Sequence, residues 1–174
     1  ARELEQAFHR GNQKIYESVQ TRAEWRGMGT TIVALVALDG QAIIGHVGDS
    51  RAYLLRDGQL RRLTSDHSWV NEQVKLGLLS DDDAQRHPMR NIVTRALGNR
   101  QDVEVDLAEE PMRGGDVFLL CSDGLNTMLA DEEIQETLER HVERPEDACR
   151  ALVDAANARG GEDNTTVVVL RMKD

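Results

Sequence analysis

Three carboxylates in this chain stand out by where they fall. Asp49 lies at the end of the run GHVG, in GDSR; Asp123 follows DVFLLC, in SDGL; Asp163 lies just before the last β-branched run, in GGEDN. Each is flanked by Gly or Ser, which lets the backbone turn sharply and other groups approach closely. Each also sits at the mouth of a very apolar stretch, so strands sharing a sheet would bring the three acids to one edge. Crowded like charges repel unless a cation neutralises them. Oxygen-only ligands with no Cys or His beside them suit hard octahedral ions such as Mg²⁺ or Mn²⁺. Water next to such ions becomes a better nucleophile, and a paired site clamps a phosphoryl group in transfer. Asp-Gly and Asp-Ser are also common turn pairs, so for any single acid a turn role stands beside the ligand role. Recurrence at three strand ends favours the metal site.

The elements that must position these acids can be read from the spacing. Leu4, Phe8, Ile15 and Val19 recur at helical spacing, which predicts an amphipathic helix over residues 2–20. TTIVALVAL, Asp39-Gly40 and QAIIGHVG read as strand, tight turn and returning strand, and RAYLLR, Asp57-Gly58 and QLRRLT repeat the pattern. Both faces of the first of these strands are apolar, as expected for a strand sandwiched between layers. Residues 66–95 break the rhythm as a polar excursion. Trp69, Val70, Val74 and Leu78 suggest one short helix, and Ser80 with Asp83 forms a capping box for a second. Strands resume at VEVDLAEE and DVFLLC. Two helices then follow, the first capped by Asp131 and the second with Pro145 at its first position, before TTVVVL closes the chain as a buried strand. Several connections are too short for parallel crossovers. The fold class is therefore α+β, with mainly antiparallel strands and helices before and after them.

Composition excludes several functions. The chain has 174 residues, enough for one sizeable core, and 31 acidic against 21 basic residues give a net charge of −10. A phosphate backbone would be repelled by that surface, and two residues each of Phe, Trp and Tyr leave little for base stacking, so a nucleic-acid binder is excluded. Cys121 and Cys149 lie far apart with no disulfide framework, which suits a reducing cytoplasm. No run approaches the ~20 apolar residues of a membrane span, and no secretory leader opens the chain. Ala1 lies at the start of the first helix with no cap ahead of it, which suggests that upstream sequence has been removed or is not shown.

Other reactive side chains have blander readings. His46 sits in a strand and reads as a hydrogen-bonded sheet residue, while His67 and His87 read as packing or capping groups rather than general acids. Cys121 reads as core and lies in no CX₅R arrangement, which disfavours a cysteine nucleophile. Arg51 in GDSR either pairs with an acid and braces the site or is a strand-end charge, and the sequence does not separate the two. Asp81-Asp82-Asp83 reads as a solvated helix start.

Taken in order, GMGTT, GHVGDSRAYLLRDG, LTSDHSWV, HPMRNIVTRALG, LLCSDGL and GGEDNTTVVV resemble the bacterial branch of the metal-dependent protein Ser/Thr phosphatases, the PPM or PP2C family. The resemblance runs from the first helix to the last strand. It implies a layered α-β-β-α sandwich of two mainly antiparallel sheets flanked by helices, here incomplete at the N-terminus and forming one domain over residues 1–174. It implies that Asp123 and Asp163 are ligands of a binuclear Mn²⁺ or Mg²⁺ centre, and that Asp49 holds a third metal together with Asp123. It places Asn164 close to the metal-bound water, so that the catalytic set is Asp123, Asp163 and Asn164. Residues 63–95 match the flap that lies beside the active site and influences substrate choice.

The function so implied is hydrolysis of phosphoserine and phosphothreonine by metal-activated water. The expected partners are phosphorylated proteins made by a bacterial Ser/Thr kinase, and the expected setting is a cytoplasmic monomer. Family members also carry, upstream of the first helix, a phosphate-holding Arg, an acidic motif and a DG pair whose Asp bridges two metals. These have no counterpart in this chain. The alternative is therefore a catalytically incompetent relative or fragment that serves as a binding or regulatory module.

Overall fold

The structure is a computed structural model and describes residues 1–173. Helix α1 (Arg2–Thr21) and a short 3₁₀ turn lead into two successive hairpins, β1 (Ile32–Leu38) with β2 (Gln41–Val47) and β3 (Arg51–Arg56) with β4 (Gln59–Arg62). The excursion carries α2 (Trp69–Lys75) and α3 (Asp81–Arg86). Then come β5 (Asp106–Pro111), β6 (Val117–Cys121), α4 (Asp123–Asn126), α5 (Asp131–Arg140), α6 (Pro145–Ala158) and β7 (Val167–Arg171). At both hairpin tips the Asp and the Gly have positive φ: 49° and 76° at Asp39-Gly40, 52° and 70° at Asp57-Gly58. This is the paired left-handed geometry that Asp-Gly adopts at little cost and that matches strand twist.

Two antiparallel sheets result, ordered β1-β2-β5 and β4-β3-β6-β7. Three strata of apolar side chains separate four layers. Phe8 of α1 packs with Val47, Leu97 and Val103 against the outer face of the first sheet. Ala42 and Ile44 meet Ala52, Leu54 and Phe118 between the sheets. Tyr53, Leu55, Val117 and Leu119 face Ile134, Leu138 and Leu152 of α5 and α6. Because side chains alternate along a strand, β3 and β6 supply both of the latter strata. Each fully buried large apolar side chain contributes on the order of 2 kcal/mol, so the α5–α6 face is a major part of the stability.

The layered α+β fold read from the sequence is thus the fold of the molecule, with three corrections and one refinement. β1 lies between layers as expected, with Ile32 and Ala34 on the α1 side and Val33 and Leu35 between the sheets, but it is an edge strand whose end, Val36 and Leu38, is exposed. β7 is also an edge, with Val168 exposed, so TTVVVL is only partly buried. Leu78 lies beyond α2 and is 67% exposed, where the spacing had placed it on the helix face. Asp131 is the first residue of α5 and not its cap: Ala130 holds the cap position and the Glu133 carboxylate accepts from its N–H at 3.1 Å. No helix among the described residues is long and apolar enough to cross a membrane.

Candidate metal centre

The ends of β2, β3 and β6 meet at one corner of the sandwich. Gly48 turns the chain out of β2 with φ 110°, and a side chain there would overlap the Thr31 methyl, so only glycine fits. Asp49 follows at once. On the far side β6 ends at Cys121, and Asp123 opens the short helix α4. The segment carrying Asp163 is stitched to this turn through Ser122. The Ser122 hydroxyl donates to the Asn164 carbonyl at 3.0 Å and accepts from the Thr166 N–H at 2.9 Å, and its backbone N–H donates to Thr166 O at 3.0 Å.

Charge at this corner is unbalanced. Burial, then the nearby Asp123 carboxylate, pushes the Asp49 carboxyl up to about 6. Burial, then Asp163, raises that of Asp123. Asp123 therefore feels both of the others. The three carboxylates do not collapse into one tight cluster; Asp123 stands as the shared neighbour of two pairs. Asp49 and Asp123 line a cleft of about 760 Å³ whose other wall is α2, α3 and the start of α5. Asp163 and Asn164 lie outside that lining, exposed beside Asp123.

Arg51, the guanidinium whose charge bears on both Asp49 and Asp123, is already engaged. Arg51 forks onto Asp66, with Nε to Oδ1 at 3.0 Å and Nη2 to Oδ2 at 2.7 Å, and its Nη1 donates to the Tyr53 hydroxyl at 3.0 Å. Tyr53 in turn donates to Asp131 at 3.0 Å, and burial keeps its phenol from ionising. Arg51 thus braces the root of the excursion against β3, the first of its two readings, and does not cap Asp49. Asp66 and Asp131 were missed in the sequence: their partners lie on other elements, so local spacing carried no signal for them. Half-buried acids raised by burial and then by one another, with no Lys or Arg bonded to them among the described residues, are what a hard divalent cation would neutralise, and the residues present fit such an ion.

The histidines occupy a separate place. His46, His67 and Asp106 are the one cluster of three His, Cys, Asp or Glu ligand atoms within 4.8 Å of one another among the described residues. The rings of His46 and His67 stack at 4.7 Å, and His46 Nε2 bonds the Ser65 carbonyl at 3.0 Å, which makes it the hydrogen-bonded sheet residue expected. The Arg95 guanidinium already sits on the cluster, with Nη1 2.6 Å from Asp106 and 2.9 Å from His67 Nε2. A second cation there would be opposed, and the cluster reads as a structural pin. His87 leans on Trp69 and accepts from the Met89 N–H at 3.1 Å, a local packing role. Cys121 is core, and burial pushes its thiol up to about 12.

Comparison with known proteins agrees with this architecture. Residues 1–159 match the family model described as protein phosphatase 2C. The serine/threonine phosphatase stp of Listeria innocua is 41% identical over 167 residues, which cover 96% of this chain and 66% of that protein. The structure of the serine/threonine phosphatase Stp1 from Staphylococcus aureus superposes with a TM-score of 0.93 at 32% identity, covering 99% of this chain and 68% of that one. The catalytic domain of the serine/threonine protein phosphatase PstP, solved in complex with two manganese ions, gives a TM-score of 0.84 at 37% identity over 95% of this chain and 68% of that one. The chain belongs to the protein phosphatase 2C family. It spans 66% of the length of the Listeria relative.

Proposed function

We propose that this chain is a single phosphatase domain, or the larger part of one, acting in a metal-dependent serine/threonine phosphatase that hydrolyses phosphoserine and phosphothreonine on other proteins. The observation that carries the reading is the pair of half-buried acids, Asp49 and Asp123, facing the cleft with no Lys or Arg bonded to either among the described residues, Asp163 beside them. In this reading Asp123 and Asp163 hold Mn²⁺ or Mg²⁺, and Asp49 and Asp123 hold a further ion. Asn164 orients water beside them. Bound ions supply Lewis acidity toward a phosphoryl group and activate water for attack. The chain's own part is to present carboxylates from three strand ends, exclude bulk water with the cleft wall, and orient the phosphorylated side chain.

Residues 63–95 act as the flap that selects among phosphoproteins, which are the products of a Ser/Thr kinase. The two cysteines are free, in keeping with a cytoplasmic setting, and the chain works as a monomer. The test is Mn²⁺ titration of this chain together with phosphate release from a phosphothreonine peptide. Metal binding and metal-dependent turnover, both lost in Asp123→Asn, are expected. Turnover that survives Asp123→Asn overturns the reading. Metal binding without turnover favours the alternative of a catalytically incompetent relative.

A further inference from the structure

We infer that His67 is a positioning residue for Asp49, joining the neck of the flap and the turn before Asp49 into one mechanical unit. The inference rests on the reading of Asp49 as a metal ligand only for its consequence, not for its geometry. Two hydrogen bonds run in opposite senses between residues 48 and 67. The Gly48 N–H donates to His67 Nδ1 at 3.0 Å, and the His67 N–H donates to the Gly48 carbonyl at 2.9 Å. Gly48 and His67 are both buried, so neither bond competes with water.

The same residue closes the flap. The His67 carbonyl accepts from the Thr94 N–H at 2.8 Å, and one step further out the Trp69 N–H donates to the Ile92 carbonyl at 2.9 Å. The outgoing and returning ends of the flap are therefore zipped together at His67. Its ring is held in place by three neighbours. It stacks on His46, faces Asp106 Oδ2 at 3.3 Å through Nε2 and receives Gly48, while Arg95 reaches it through the shared Asp106 carboxylate. A nitrogen that accepts from a backbone N–H carries no proton, so the ring proton lies on Nε2, pointing at the Asp106 carboxylate that Arg95 also binds.

Gly48 has little freedom to respond. Its φ of 110° and the Thr31 side chain against its Cα fix the backbone, so displacement of His67 is passed on to Asp49 and not absorbed at the turn. Movement of the flap neck and placement of the Asp49 carboxylate are in this way one event.

The test is amide hydrogen exchange with Mn²⁺ titration on wild type, His67→Leu and His67→Asn. Asn keeps an acceptor oxygen where Nδ1 stands, whereas Leu removes it. In His67→Leu the Gly48 amide is expected to exchange roughly tenfold faster or more, with Thr94 following and the β3–β6 amides unchanged. His67→Asn restores protection, and Mn²⁺ affinity falls and recovers in parallel. In an Asp49→Asn background the effect of His67→Leu on Mn²⁺ affinity vanishes, which a general loss of stability would not produce. Unchanged Gly48 protection in a folded His67→Leu overturns the link. Should that variant fail to fold, the nitrogen-15 spectrum of the wild-type ring decides: a proton on Nδ1 overturns it and a bare Nδ1 upholds it. Exchange coupling with no effect on Mn²⁺ overturns the positioning of Asp49 if Asp49→Asn alone weakens Mn²⁺ binding, and removes Asp49 from the ligand set if it does not.

Discussion

The carbonyl oxygen of Asn164 lies 2.5 Å from the point where a side chain on Gly124 would begin, closer than any real Cβ contact. This absence of a side chain lets the Asp163 segment close onto the Asp123 turn. Gly124→Ala is expected to push residues 163–166 away, costing about 1–3 kcal/mol and weakening Mn²⁺ binding. Urea denaturation and a metal titration check this, and a variant with unchanged values for both contradicts it.

Arg51 and Asp66 form a mostly buried fork that continues through Tyr53 to Asp131. Arg51→Ala leaves the Asp66 carboxylate with only Arg62 at 3.8 Å and the Tyr53 hydroxyl with only Asp131, and should destabilise the fold by about 3 kcal/mol. Arg51→Lys should recover little of this, because an ammonium cannot reproduce two parallel bonds and a third to Tyr53. Denaturation midpoints of the two variants test the contrast.

Stability should depend on pH through Asp116, whose side chain is 2% exposed. Burial alone would raise its carboxyl, but Arg56, bonding at 2.8 and 2.6 Å, and the Arg113 N–H hold it below the ordinary 3.8. The stabilisation is therefore complete above 3.8 and is lost as pH falls through the lower folded value. Asp116→Asn should cost on the order of 2 kcal/mol at pH 7, with the gap to wild type closing below about pH 4. Urea melts at several pH values would show a constant gap if the pairing were inert.

The two thiols should differ in reactivity. Cys121 is 3% exposed and burial lifts its thiol to about 12, whereas Cys149 is only half-buried. An alkylating reagent at pH 8 is expected to modify Cys149 well before Cys121, as peptide mass mapping would report. Equal labelling would mean that the end of β6 opens readily.

Much of this fold was legible because its signals are local. The Asp-Gly pairs fix both hairpins, the spacing of Leu4, Phe8 and Ile15 fixes α1, and DVFLLC ends where Asp123 begins. The edge positions of β1 and β7 were not legible. An all-apolar strand announces that both its faces are covered, as they are, but nothing in TTIVALVAL states how many neighbours it has within its sheet. The same limit applies at the site. Asp49 and Asp123 could be singled out from their flanking residues. The engagement of Arg51 by Asp66, the use of Asp131 by Tyr53 and the Gly48–His67 link depend on pairings across elements, for which periodicity has no signal. Ser80 shows the intermediate case: its hydroxyl accepts from the Asp83 N–H at 3.1 Å as expected, but the Asp83 carboxylate turns to the hydroxyl and leaves the cap backbone alone.

β3 pairs on one side with its hairpin partner and on the other with β6, whose sequence comes only after the entire excursion. During synthesis, then, the first acid of the corner emerges long before the second, and the third comes last of all. Until β6 docks, the Asp123 carboxylate that raises Asp49 is not beside it, and until residues 163–166 close onto Ser122 the Asp163 carboxylate is not beside Asp123. The crowding of charge at the corner is thus a product of late, long-range strand pairing.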